Sequence, residues 1–156
     1  MIDQKKLAQM LKDIRFCMMT TISTDGKMHS RPMATLEIDA TDFDGTLYFF
    51  SNKNSYKVQD IEAENAVNLT YVDAVRRRYF SVSGKARIDS NQERMQELWT
   101  PSLHAWFPKG LKDPELILIS VTVEGAEVWD ATPGKNVQEW PWYQGPYSEH
   151  VDFRQH

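Results

Sequence analysis

Cysteine is almost absent from this chain. Cys17 is the one thiol in 156 residues, so no intrachain disulfide can staple the fold. A cytoplasmic setting is the default expectation. Long apolar runs are missing as well. No stretch approaches the ~18 apolar residues that read as a membrane span, and MIDQKKLAQMLKDIRF at the start holds no apolar block of the signal-peptide kind. A membrane partner is therefore not expected. Charge of one sign is not in excess either: 18 Lys and Arg stand against 22 Asp and Glu, a net charge of -4. A general nucleic-acid binder needs a basic face, so nucleic acid is not an expected partner.

Several chemical signatures are also lacking. Gly84-Lys85 and Gly134-Lys135 have no upstream glycine to make a nucleotide-binding G-x-x-x-x-G-K-[ST] loop. There is no G-x-G-x-x-G and no C-x-x-C. The four histidines, His29, His104, His150 and His156, show no metal-ligand spacing, and no metal is expected. Cys17 lies in an apolar stretch and reads as a small core residue rather than a nucleophile.

What is present is an ordinary globular mix, 41% hydrophobic and 26% charged, long enough for one domain with its own core. The aromatics stand out, with 5 Trp, 6 Tyr and 7 Phe, a density that serves large cores, interfaces or a flat ligand. Leu7, Met10, Leu11 and Ile14 mark one face of a first helix, which Asp3 can cap. FCMMTTIS reads as a strand, Asp25-Gly26 as a hairpin turn, and Met28 to Ile38 as the return strand. Pro32 requires that return strand to be an edge, or to bulge. TLYFFS is a short buried strand. Ser55 can cap a short helix carrying Val58 and Ile61, and Val67, Leu69 and Tyr71 alternate as a strand. In YFSVSGKARI, Phe80, Val82, Gly84, Ala86 and Ile88 share one face. Ser90 with Glu93 forms a capping-box pattern before a helix with Met95, Leu98 and Trp99. LILISVTV and AEVWDA read as two further strands joined near Glu124-Gly125. Residues 1–131 form the expected domain, and 132–156 an aromatic-rich tail with Trp140, Pro141, Trp142 and Tyr143. The expected fold is mainly β (α+β): about six antiparallel strands in a small barrel with peripheral short helices.

Two segments carry site chemistry. In Phe50-Ser51-Asn52-Lys53-Asn54-Ser55-Tyr56-Lys57 a strand feeds a polar loop and a helix start, where free amides and the helix dipole favour an anion. Lys57 in the first turn opposes the dipole, which makes sense if a phosphate sits between them. A plain solvated helix start serves the same spacing equally well. In Ser30-Arg31-Pro32-Met33-Ala34 the proline forces Arg31 to be extended, and its guanidinium suits a bidentate grip on phosphate or carboxylate. Alone, Arg31 reads as readily as an exposed edge residue. Trp129 alone reads as a core or interface tryptophan. Arg76-Arg77-Arg78 reads as a solvated turn.

Taken together and in order, FCMMTTISTDGKMHSRPMA, LYFFSNKNSYKVQDI, VNLTYVD, YFSVSGKARI, ELWTPSLHAWFPKG and AEVWDA resemble the general-stress-protein branch of the pyridoxamine-phosphate-oxidase-like, FMN-binding split-barrel family. The resemblance spans roughly residues 5–131. It implies a split barrel and a homodimer with FMN at the subunit interface. It further implies that Arg31, Ser55 and Lys57 hold the FMN phosphate and that Ser51 and Asn52 line the approach. Met33 and Ala34 would then lie near the isoalloxazine or ribityl chain, and Trp129 would approach the flavin from the other subunit. The implied function is an FMN-dependent oxidoreductase of unknown substrate, with FAD as a further flavin candidate. The alternatives are a non-catalytic flavin-binding stress or sensing protein, or a split-barrel binder of a deazaflavin or heme. Arg154-Gln155-His156, at the end of the chain, matches the substrate-holding Arg-x-His of true pyridoxamine-phosphate oxidases only superficially. Pyridoxamine phosphate is therefore not the expected substrate.

Overall fold

The computed structural model describes residues 3–131 and the backbone of 148–152. Chain order is α1 (Gln4–Leu11), β1 (Phe16–Ile22), β2 (Met28–Ala34), β3 (Thr46–Asn52), α2 (Tyr56–Ala63), β4 (Ala66–Asp73), β5 (Arg78–Asp89), α3 (Gln92–Leu98), β6 (Leu116–Asp130) and β7 (Ser148–Asp152). Two 3-10 turns, Pro101–Ala105 and Gly110–Lys112, fill the span between α3 and β6. Among the described residues no helix is long and apolar enough to cross a membrane, and no group of three or more His, Cys, Asp or Glu could hold a metal.

The sheet runs β2-β1-β4-β5-β6-β3, with every pairing antiparallel. Its ends do not join as strands. The sheet curls far enough for the Leu36 amide, just past β2, to donate to the Tyr48 carbonyl of β3 at 2.9 Å. The result is the incompletely closed barrel that the resemblance implies. Pro32 sits on β2, the edge strand, where its missing N–H costs no ladder bond. The return strand ends at Ala34 rather than at the expected Ile38: the Thr35 amide makes one more bond in register, to Arg15 O, and the Leu36 amide then changes partner to β3.

The concave face is apolar. Leu7 and Leu11 from α1 close over Met19, Phe49, Leu69, Tyr71, Phe80, Val82 and Ile119, all essentially inaccessible. Burying such side chains contributes roughly 1.5–3 kcal/mol each. A second, smaller cluster lies on the other face of β3 and β6, where α3 and the 3-10 turns pack Met95 and Leu103 against Phe50 and Leu118. Asp3 caps α1 as expected, accepting from the Lys6 amide at 2.8 Å.

Three expectations need correction. LILISVTV and AEVWDA are one strand, β6, not two. Between the pairs Ser83–Gly125 and Gly84–Val123 the register shifts, so Glu124 is an extra residue in β6, a bulge rather than a turn. Gly84 permits that close approach, since a Cβ there would lie 2.4 Å from the Thr122 carbonyl oxygen. The cap of α3 is Asn91, which accepts from the Arg94 amide at 3.1 Å, and not Ser90. Ser55 occupies the cap position of α2 but makes no side-chain cap bond. Its hydroxyl donates instead to Asn52 O at 2.8 Å.

The other edge of β6 is shared. Leu116–Thr122 pairs with β3, and past the bulge Gly125–Trp129 pairs with β7. Residues 148–152, read as tail, thus add a strand to the sheet. The Trp140–Tyr143 cluster and Arg154–His156 lie outside the described residues.

Candidate functional site

Strand alternation decides where Arg31 goes. In β2, Arg31 and Met33 share the concave face, opposite Met19 and Cys17 of β1. Arg31 lies toward the end of the barrel that α2 covers. Its Nη1 donates to Thr21 Oγ1 at 2.7 Å and to the Met19 carbonyl at 3.2 Å. Its Nη2 lies 3.7 Å from Asp60 Oδ2. Thr21, fully buried, donates its own proton to Asp60 Oδ2 at 2.7 Å.

Helix α2 supplies the other half. Lys57 and Asp60 are three residues apart and so lie on one side of the helix. Lys57 Nζ donates to Ser51 Oγ at 3.0 Å. Ser51 is buried near the end of β3, on the same sheet face as Leu47 and Phe49. Burial and then the nearby Arg31 charge hold the Lys57 ammonium below the ordinary lysine range. Burial also lowers the Arg31 pKa, opposed by Asp60. Two cations therefore meet in a half-buried corner where only Arg31 approaches a carboxylate, a local excess of positive charge suited to an anion.

The donors left over fit a phosphate monoester. Among the described residues Arg31 Nη2 has only the long contact to Asp60, and Arg31 Nε donates no hydrogen bond. Ser51 keeps its own hydroxyl proton, and Lys57 keeps two of its three. With no side-chain cap from Ser55, the first amides of α2 stay uncapped at the same corner.

The structure brings Arg31, Ser51 and Lys57 together. Asn52 sits one residue further, where its side chain shapes the loop: Oδ1 accepts from the Asn54 amide at 2.8 Å and Nδ2 donates to Glu115 at 3.2 Å. Met33 packs in the concave core. Ala34 borders a cleft of about 280 Å³ whose walls include Leu11, Arg15, Thr35 and Leu103 but neither Arg31 nor Lys57. Trp129 pairs with Tyr79, which pairs with Val72, and all three belong to the convex face, away from Arg31. That face is apolar near one end of the barrel: Phe16, Met18 and Val72 are each more than two-fifths exposed, and Trp106 meets Phe16 edge-on at 6.0 Å.

Sequence reasoning missed Thr21 and Asp60. A threonine in a strand carries no signal of its own. Asp60 could have been suspected from its i+3 spacing to Lys57 on a helix whose apolar residues, Val58 and Ile61, flank it on the packed side.

Comparisons with known proteins agree with this fold. The family described as pyridoxamine 5'-phosphate oxidase like matches residues 3–143. Protein bli-3 of Neurospora crassa is 31% identical over 109 residues, covering 68% of this chain, which spans only 51% of that protein's length. General stress protein 26 of Bacillus subtilis is 29% identical over 110 residues, covering 68% of this chain and 74% of that protein. The crystal structure of the general stress FMN/FAD binding protein from Xanthomonas citri superposes with a TM-score of 0.71 at 28% identity, covering 83% of this chain and 89% of that one.

Proposed function

Because this chain belongs to the pyridoxamine 5'-phosphate oxidase like family, we propose that it is a flavin-binding protein that anchors FMN by its phosphate. The observation that carries the reading is the Arg31 and Lys57 pair, two neighbouring cations of which only Arg31 approaches a carboxylate, beside the buried Ser51 hydroxyl. Arg31 offers a planar fork and Lys57 a point charge, and together they fix the phosphate end of the ligand. Ser51 orients Lys57 and donates its own proton to the anion. Ser55 and Asn52 hold the loop that starts α2 in place. Bound FMN supplies the redox chemistry; the protein supplies binding and orientation. The chain thus serves as an oxidoreductase scaffold in the cytoplasm, where a buried lone thiol is at home.

The flavin ring is covered by a second copy of the chain. The exposed apolar strip of Phe16, Met18, Val72 and Trp106, with Trp129 on the same face, supports a homodimer. It gives Trp129 a route to the partner's flavin that its own chain's curvature denies.

The test is the visible absorption spectrum of the purified protein, followed by titration of the flavin-free form with FMN, FAD and riboflavin. Saturable FMN binding, much tighter than riboflavin, is the expected result. Equal affinity for FMN and riboflavin removes the phosphate anchor, and no flavin binding removes the function. Reduction of bound flavin by NADH or NADPH then separates an enzyme from a non-catalytic binder. Sedimentation of wild type against Phe16→Glu with Val72→Glu tests the dimer, and an unchanged mass for the variant sinks it.

A further inference from the structure

Arg31 and Asp60 do not form a direct hydrogen-bonded pair. Their closest approach is 3.7 Å, beyond hydrogen-bond range. Thr21 stands between them. The polarity of the bridge is set by chemistry: a guanidinium only donates and an ionised carboxylate only accepts, so the hydroxyl accepts from Arg31 Nη1 and donates to Asp60 Oδ2, both at 2.7 Å. Met19 O takes the second bond from Nη1. One nitrogen of the guanidinium is thereby tied down twice. The other two make no hydrogen bond among the described residues.

This arrangement differs in kind from an ordinary buried Arg–Asp pair. A bidentate carboxylate would occupy the donors that an anion needs. A carboxylate held one hydroxyl away still offsets the cost of burying the guanidinium, yet leaves its fork open. We propose that Thr21 and Asp60 are positioning residues that hold Arg31 in a ligand-ready orientation, with the Thr21 hydroxyl as the spacer that keeps Asp60 off the phosphate-binding donors. The inference rests on the phosphate-anchor reading above. It adds two residues that touch no ligand and act through Arg31.

The experiment compares FMN with riboflavin by fluorescence titration of the flavin-free full chain, since only FMN carries the phosphate. Thr21→Val keeps volume and β-propensity but deletes the hydroxyl. It is expected to weaken FMN binding about tenfold, with riboflavin affinity unchanged. Thr21→Ala, which deletes the hydroxyl without adding bulk, is expected to do the same should the valine variant fold poorly. Thr21→Ser keeps the hydroxyl and is expected to bind FMN like wild type. A parallel loss of riboflavin affinity, wild-type FMN affinity without the hydroxyl, or failure of serine to restore binding each overturns the positioning role. Arg31→Ala separates the two ideas. If it weakens FMN binding while Thr21→Val does not, the anchor stands and the spacer falls. If Arg31→Ala leaves FMN affinity unchanged, the anchor itself falls and the spacer with it.

Discussion

Two clusters of basic residues lie at the two ends of β4, and they differ in where their unpaired charge sits. At the far end, in the hairpin between β4 and β5, Arg76 pairs with Asp73 at 3.1 Å and Arg78 approaches Asp130 at 3.6 Å. Each of these arginines has its own carboxylate. At the near end, where α2 leads into β4, Arg31 approaches Asp60 at 3.7 Å, and Lys57 has no carboxylate partner among the described residues. The hairpin holds the more conspicuous sequence, three arginines in a row, with Arg77 bent into a positive φ of 55° at the turn. Two of its three charges are spent on shaping the turn, and the third, on Arg77, stands exposed to solvent. The quieter cluster keeps its surplus in a half-buried place, which is what attracts an anion. Where the surplus sits, rather than the density of basic residues, distinguishes the two.

The comparison can be broken in order of expected effect. Arg31→Ala combined with Lys57→Ala removes two charge-assisted contacts worth about 1.5–3 kcal/mol each, so FMN affinity should fall at least about a hundredfold in a fluorescence titration. Arg76→Ala, the loss of one charge at the hairpin, should leave FMN affinity unchanged; a drop there like that of Arg31→Ala alone would erase the distinction. Next, Ser51→Asp gives Lys57 a carboxylate of its own and makes the near end resemble the hairpin. FMN binding should weaken by more than about tenfold while riboflavin binding holds. A variant that binds FMN normally would show that surplus charge is not what matters.

The pH dependence follows from Lys57. Burial and Arg31 disfavour its cation, so it loses its proton below the ordinary lysine range. FMN affinity should be full near neutrality and fall about tenfold as pH rises through that depressed value. Riboflavin affinity should stay flat over the same range, and a parallel fall would assign the effect elsewhere. The smallest effect belongs to the hairpin. The Arg76 amide and side chain hold the Asp73 carboxyl below its usual pKa. Its contribution to stability is therefore present above the ordinary carboxylate pKa of about 3.9 and is lost as pH falls through the depressed value. Asp73→Asn should cost under about 1 kcal/mol in urea unfolding at neutral pH. It should also flatten the acid limb without touching FMN binding.

Some of this is legible in the sequence alone. Pro32 marked β2 as an edge or a bulge, because a residue without an N–H leaves a ladder bond unmade inside a sheet, and β2 is an edge. Arg31 was legible through that proline, and Lys57 through its unfavourable place in a first helical turn. The single long β6 was not, since Glu124-Gly125 reads as a turn and the bulge exists only because β5 presents Gly84 there. Ser55 has the composition of a cap, yet the loop carbonyl of Asn52 offered its hydroxyl a nearer partner.

The sequence by itself determined where β1 to β5 lie, an edge or a bulge at Pro32, the apolar faces of α1, β4 and β5, and the two cations. Each of those follows from local periodicity or from the covalent limits of one residue. Only the tertiary structure decided that Thr21, 39 residues before Asp60, would become its hydrogen-bond donor and stand between it and Arg31. That choice depends on curling β1 and β2 beneath α2, and a long-range contact between ordinary polar residues leaves no trace in either neighbourhood.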